Sequence, residues 1–209
     1  MSRVDAFIDD LAKVRFPNTF NPYSEKCPTH DKPSAPSIRR ENLRLVLEAA
    51  LANGAQSVWV GRDLGHLGGR RTGIALIDEL RLPLLGKRMG IQGLVKATRT
   101  EAAREATASN VWHMVDGLEE VPVFWNAFPL HPHKPGIPAS NRNHRSSELA
   151  ATQHFLDDLL KMIRPSKIIA LGNDAHRILT HLGREATLVR HPSFGGQTKF
   201  RDGIYQAYK

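Results

Sequence analysis

Four runs of apolar residues stand out along the chain: SVWV at 57–60, VPVFW at 121–125, KIIAL at 167–171 and TLV at 187–189. They are nearly continuous rather than alternating, as in parallel strands buried on both faces. Between them the apolar positions recur at helical spacing. From Arg39 to Ala52, Leu43, Val46, Leu47, Ala50 and Leu51 share one face, and Asn53-Gly54 closes that helix. From Ser146 to Arg164, Leu149, Phe155, Leu156, Leu159, Leu160 and Ile163 make a second apolar face, which Pro165 ends. Asn173 is expected to cap a helix through Leu182, with Gly183 as its stop. The first residues, MSRVDAFIDDLAKVRF, read as an amphipathic helix.

Strands alternating with helices predict an α/β fold, a three-layer α/β/α sandwich around a central, mainly parallel four-stranded sheet. At 209 residues the chain is expected to be a single domain, residues 1–209. The proline-rich stretches 17–36 and 129–138 read as long surface loops.

Composition narrows the class. Hydrophobic residues make up 41% and charged residues 24%, ordinary values for a globular domain. No apolar run approaches the roughly 20 residues of a membrane span, and the N-terminal stretch lacks the apolar core of a secretory signal. A cytoplasmic protein without membrane association is the resulting expectation. The lone Cys27 excludes an intramolecular disulfide and any all-cysteine metal site within one chain. A net charge of +8 favours a polyanionic partner such as nucleic acid, because each neutralised phosphate releases counterions.

In an open α/β sheet, ligands bind beyond the carboxyl ends of the strands. Arg62-Asp63-Leu64-Gly65-His66 and then LGGRRTG follow the first run, Asn126-Ala127-Phe128 the second, Gly172-Asn173 the third and Arg190-His191-Pro192-Ser193 the fourth. Taken singly, the acid, the amide and the imidazole each read as turn or cap residues. Together at one sheet edge they suit the breaking of an N-glycosidic bond. A carboxylate orients water and stabilises a cationic sugar, a neutral imidazole donates to an oxygen gaining charge, and an amide reads a base edge.

Here GRDLGHLGGRRTGIAL resembles the first motif of the uracil-DNA glycosylase superfamily, in its Gly-Gln-Asp-Pro-Tyr-His form. The match runs without a gap from Gly61 through Asp63, His66, Gly69 and Gly73 to Ala75. VFWNAF is similar to the element that reads uracil, and HPS to the second signature motif. The resemblance implies DNA containing uracil as the partner of a monomeric protein. It implies that Asp63 positions the attacking water, that His191 faces the leaving base and that Asn126 pairs with the uracil edge. Ser193 would then hold a flanking phosphate. His66 is expected to hydrogen-bond the pocket or its water.

Leu64 and Gly65 depart from the family's proline and tyrosine. That tyrosine blocks the C5 position of the base, so a glycine there predicts a roomier pocket. The aromatic that stacks on uracil aligns with Leu76, which leaves Phe128 as a second stacking candidate. The wedge that fills the gap left by the flipped base aligns with Gly195, next to the apolar Phe194. Arg70 and Arg71 are expected to contact phosphates, as are Lys199 and Arg201. The HPH run at 131–133, with His144 nearby, reads as polar surface, and neither a metal nor another cofactor is expected. Two other readings stay open: a DNA-binding member of the fold without catalysis, and a glycosylase acting chiefly on a deaminated purine.

Overall fold

The computed structural model describes residues 2–209. In chain order its elements are α1 (Arg3–Lys13), β1 (Thr19–Phe20), α2 (Ala35–Ala52), β2 (Ser57–Asp63), α3 (Gly69–Thr72) and α4 (Leu82–Met89). There follow α5 (Ala106–Val115), β3 (Val123–Phe128), β4 (His131–Pro132), α6 (Ser146–Ile163) and β5 (Lys167–Leu171). The chain ends with α7 (Asn173–His181), β6 (Thr187–Val189) and α8 (Gln197–Ala207).

The central sheet has four parallel strands in the order β3-β2-β5-β6. β2, β3 and the end of β5 are near-continuously apolar because helices cover both faces, whereas the edge strand β6 leaves Thr187 and Leu188 exposed. Trp59 of β2 and its register partner Phe124 of β3 meet edge to face at 6.0 Å, and Phe200 of α8 lies 6.2 Å from Trp59. One residue along, Trp125 points the opposite way and meets Phe7 of α1 at 5.5 Å, with Phe155 of α6 behind it. Helices therefore sandwich the sheet, and these side chains are buried in one continuous core.

The chain leaves β2 for the edge strand β3, then crosses back to β5 and on to β6. Strand order reverses between β2 and β5, and a crevice opens beyond the carboxyl ends at such a point. Register fixes what faces it. Gly61 stands opposite Asn126, and Asp63 opposite Phe128. Because side chains two apart share a face, Gly61, Asp63 and Asn126 lie on one side of the sheet.

Several boundaries differ from the sequence reading. β2 extends to Asp63 and β3 to Phe128, because backbone pairing carries the polar ends of both runs into the ladder. Asn173 is the first helical residue of α7 and Gly172 is its cap, with φ of 94°. A Cβ at Gly172 would stand 3.3 Å from that of His191, so this backbone passes close to the histidine. The two proline-rich stretches are not both surface loops. β1 and β4 pair antiparallel, joining Phe20 to His131, and Thr19, Phe20, Asn21 and Tyr23 are buried. Asn21 makes that burial possible by donating to Leu11 O at 2.8 Å and Val14 O at 3.0 Å. His131 is likewise fully buried, with Nδ1 at 2.8 Å from Leu64 O, so the HPH run is not polar surface. Among the described residues no helix is long and apolar enough to cross a membrane.

Candidate active site

At the switch point lies a cavity of about 450 Å³ whose lining includes Asp63, Gly65, Leu76, Glu105, Asn126 and His191. Asp63, the last residue of β2, is held from two sides. Its Oδ2 accepts from Arg62 Nε at 2.7 Å, and its Oδ1 meets His144 Nδ1. The Arg62 guanidinium continues to Asp174 at the start of α7, at 3.0 Å. His144 comes from the segment before α6, and its ring centroid lies 5.6 Å from that of Phe128. The apolar ring thus supports the imidazole while the carboxylate fixes its edge. In the sequence His144 stands out only as a neighbour of the HPH run, and nothing there points to its contact with Asp63.

Asn126 lies over Gly61. A Cβ on Gly61 would come within 2.4 Å of Asn126 Oδ1 and 3.3 Å of Leu76 Cδ2, so the amide and the leucine share the space the glycine leaves. Asn126 is 2% exposed, and among the described residues its Oδ1 has no hydrogen-bond partner. A buried amide oxygen left unpaired costs about 1–3 kcal/mol, a cost a bound donor removes. Leu76 holds a left-handed backbone, φ 58°, a conformation that non-glycine residues adopt at a cost of about 1–3 kcal/mol.

His191 follows β6 by two residues. The backbone N–H of Ser193 donates to its Nδ1 at 3.2 Å, and the Ser193 hydroxyl lies 2.8 Å from the same nitrogen. A backbone N–H can only donate, so Nδ1 is the bare nitrogen and the ring proton sits on Nε2. Burial, with the Arg62 and Arg190 guanidiniums nearby, pushes the imidazole down to about 4, so the ring is neutral at pH 7. The loop closes tightly behind it, with Phe194 and Gly195 both at positive φ. A Cβ on Gly196 would stand 2.1 Å from His191 O, which only glycine allows. Ser193 lines the cavity, yet its hydroxyl is engaged by the imidazole rather than left free for a phosphate.

Gly65 also lines the cavity, but the open space expected there is filled. Glu105 brings its carboxyl to where a Cβ of Gly65 would be, 2.0 Å from that ideal position. Its contribution was invisible in the sequence because it precedes α5, forty positions downstream of Gly65.

Other expected contacts are redirected. Arg70 and Arg71 belong to the short helix α3 and are 4% and 8% exposed. The Arg70 guanidinium lies 4.3 Å from the Phe20 ring centroid, and Arg71 pairs with Glu79 at 3.5 Å. Neither presents its charge to a DNA backbone, because Arg70 packs over Phe20 of β1 and Arg71 turns inward to Glu79 and Thr100. Phe128 is fully buried between Phe16 and His144, and so is not a stacking surface. The ring of His66 lies 6.5 Å from that of His131, and its buried Nδ1 has no partner among the described residues. The backbone N–H of His66 donates to Asn141 Oδ1 at 3.1 Å. Lys199 and Arg201 are exposed on α8, and Arg201 borders a separate groove with Arg104 and His113. Phe194 lines the cavity mouth and is 97% exposed. Among the described residues no group of three or more His, Cys, Asp or Glu side chains is placed to hold a metal ion.

No family model and no curated protein matches the chain. Among solved structures it is similar to the crystal structure of wild-type SMUG2 from Pedobacter heparinus, with a TM-score of 0.59 and 13% identity. The similarity covers 98% of this chain and 96% of that one. At such low identity the likeness is one of fold: this chain shares the α/β architecture of Pedobacter heparinus SMUG2, a parallel four-stranded sheet flanked by helices.

Proposed function

We propose that this protein is a DNA glycosylase that hydrolyses the N-glycosidic bond of uracil in DNA. The observation that carries the reading is the convergence of Asp63, Asn126 and a neutral His191 from three strands on one cavity. The motif resemblance and the SMUG2-like fold agree with it, and the net charge of +8 suits a DNA partner.

The chemistry follows from the side chains. A base inside the duplex hides its glycosidic bond, so the nucleotide is extruded into the cavity. As the C1′–N1 bond breaks, its electron pair moves into the uracil ring and positive charge grows on the sugar. Asp63, held by Arg62 and His144, stabilises that charge and takes the proton of the water that adds to C1′. The Nε2–H of His191 donates to the uracil O2 as it becomes anionic. Neutrality matters here, because the fixed dipole needs no proton transfer in order to stabilise the leaving base. The unpaired Oδ1 of Asn126 accepts from the N3–H of uracil, and its amide N–H donates to O4.

The test is alkali cleavage of oligonucleotides containing uracil, hypoxanthine, xanthine or a T·G mismatch, with Asp63→Asn, His191→Ala and His144→Ala beside the parent. The parent is expected to release uracil. Loss of the His191 donor should slow it by about 10²–10³. His144→Ala should fall between the parent and Asp63→Asn, since it frees a carboxylate that stays in place. A parent that binds these strands but cleaves none is a DNA-binding module instead.

A further inference from the structure

Two glycines on the connection from β2 to α3 stand against a single side chain. An ideal Cβ on Gly65 would lie 2.0 Å from Glu105 Oε1, and one on Gly68 would lie 2.2 Å from Glu105 Oε2. The carboxyl therefore straddles both glycines, and any side chain at either position would have to displace it. Its backbone is anchored, because Glu105 N–H donates to Asp78 Oδ2 at 2.7 Å and Arg81 holds Asp78 at 2.9 Å.

Glu105 lines the same cavity as Asp63, Asn126 and His191. Yet among the described residues its side chain has no hydrogen-bond partner; only its backbone N–H and C=O are bonded. The carboxyl is half-buried at the cavity wall, and a ligand that bonds to it gives it the partner the fold does not supply. Burial, and the charge of Asp78, push this carboxyl up to about 7, so near neutral pH it can both accept and donate.

We propose that Glu105 is a specificity-determining residue, which admits bases carrying hydrogen or a hydrogen-bonding substituent at C5 and rejects a C5 methyl. This rests on the glycosylase reading above. There, His191 takes O2, Asn126 takes N3 and O4, and N1 carries the sugar. The edge left for the remaining cavity wall is C5–C6. A methyl group at that edge both meets the carboxyl sterically and leaves it unbonded. A hydroxymethyl group extends one oxygen further, and its hydroxyl replaces that apolar contact with a hydrogen bond to the carboxyl. Discrimination that a bulky residue at position 65 could supply is thereby supplied from the start of α5.

The experiment is single-turnover base release from single-stranded oligonucleotides containing uracil, 5-hydroxymethyluracil or thymine. Parent, Glu105→Ala and Glu105→Gln are compared, with thermal melts to verify folding. Glu105→Ala is expected to raise the thymine-to-uracil rate ratio at least tenfold and to abolish the advantage of 5-hydroxymethyluracil over thymine. Glu105→Gln keeps both the volume and a hydrogen-bonding carbonyl, and is expected to keep the parent's order of substrates. If Glu105→Ala folds, releases uracil and leaves the thymine-to-uracil ratio within twofold of the parent, the assignment is overturned. The same holds if Glu105→Gln accepts thymine as readily as Glu105→Ala does. A parent inert on all three bases overturns the glycosylase reading and this assignment with it.

Discussion

The backbone N–H of Ser193 lies 3.2 Å from Nδ1 of His191, and this contact decides which nitrogen of the imidazole is left to donate. The serine hydroxyl at 2.8 Å adds a second donor to the same nitrogen. Since the main-chain donor survives truncation of the side chain, Ser193→Ala should preserve the tautomer. We expect it to slow uracil release by less than about tenfold, against about 10²–10³ for His191→Ala. Single-turnover rates of the two variants on one uracil oligonucleotide make the comparison. Equal losses would mean that the hydroxyl, and not the backbone, sets the ring.

Stability should depend on pH through three groups whose ionisation the fold shifts, with opposite signs. Burial pushes His131 down to about 3, and burial with two guanidiniums pushes His191 down to about 4. Both are neutral in the fold but protonate near 6.5 when unfolded, so below that pH the unfolded chain binds more protons. Their contribution is complete above pH 6.5 and is lost as the pH falls through 4 and 3. Glu105, raised to about 7, behaves in reverse. Its contribution is complete below the ordinary carboxyl value and is lost as the pH rises through 7. Melting temperatures from pH 4 to 9 should show His131→Phe flattening the acid limb. Glu105→Gln should raise the melting temperature at pH 8 while changing little at pH 4.

Arg70 and Arg71 should matter for folding rather than for DNA. Arg71 partners the buried carboxylate of Glu79, which also accepts from Thr98 Oγ1 at 2.5 Å and Ala103 N at 2.9 Å. Removing one partner of a buried pair costs about 3–5 kcal/mol, and the remaining bonds to Glu79 place Arg71→Ala at the lower end, about 3 kcal/mol. Arg70→Ala should lose about 2 kcal/mol for its guanidinium over Phe20. Urea unfolding reads these values. The slope of DNA affinity against salt should stay at the parent's value, since neither charge reaches a phosphate.

Phe194 carries a large apolar ring at 97% exposure on a left-handed backbone, so folding gains almost nothing from it. Phe194→Ala should change stability by no more than about 0.5 kcal/mol. If the ring enters the space left by an extruded nucleotide, the same change should slow release from duplex about tenfold and leave single strands nearly unaffected. Equal rates of loss on the two substrates would remove that role.

The four strands of the sheet were legible in the apolar runs, although two of their ends were not: β2 continues to Asp63 and β3 to Phe128. Near-continuous apolar runs suit parallel strands, and Asp63, Asn126 and His191 stand at or just beyond the ends of three of them. The tertiary structure alone decided which side chains surround those three. His144 and Glu105 arrive from connecting segments with no periodicity of their own, and their positions depend on contacts such as Asp63 to His144 and Asp78 to Glu105. Arg70, Arg71 and Phe128 looked available for binding because composition marks a residue's chemistry and not its surroundings. Arg70 is covered by Phe20 of β1, Arg71 by Glu79 and Thr100, and Phe128 by Phe16 and His144. Local periodicity encodes strands and helices over a few residues, whereas a cavity wall assembles from residues tens of positions apart, and only packing brings those together.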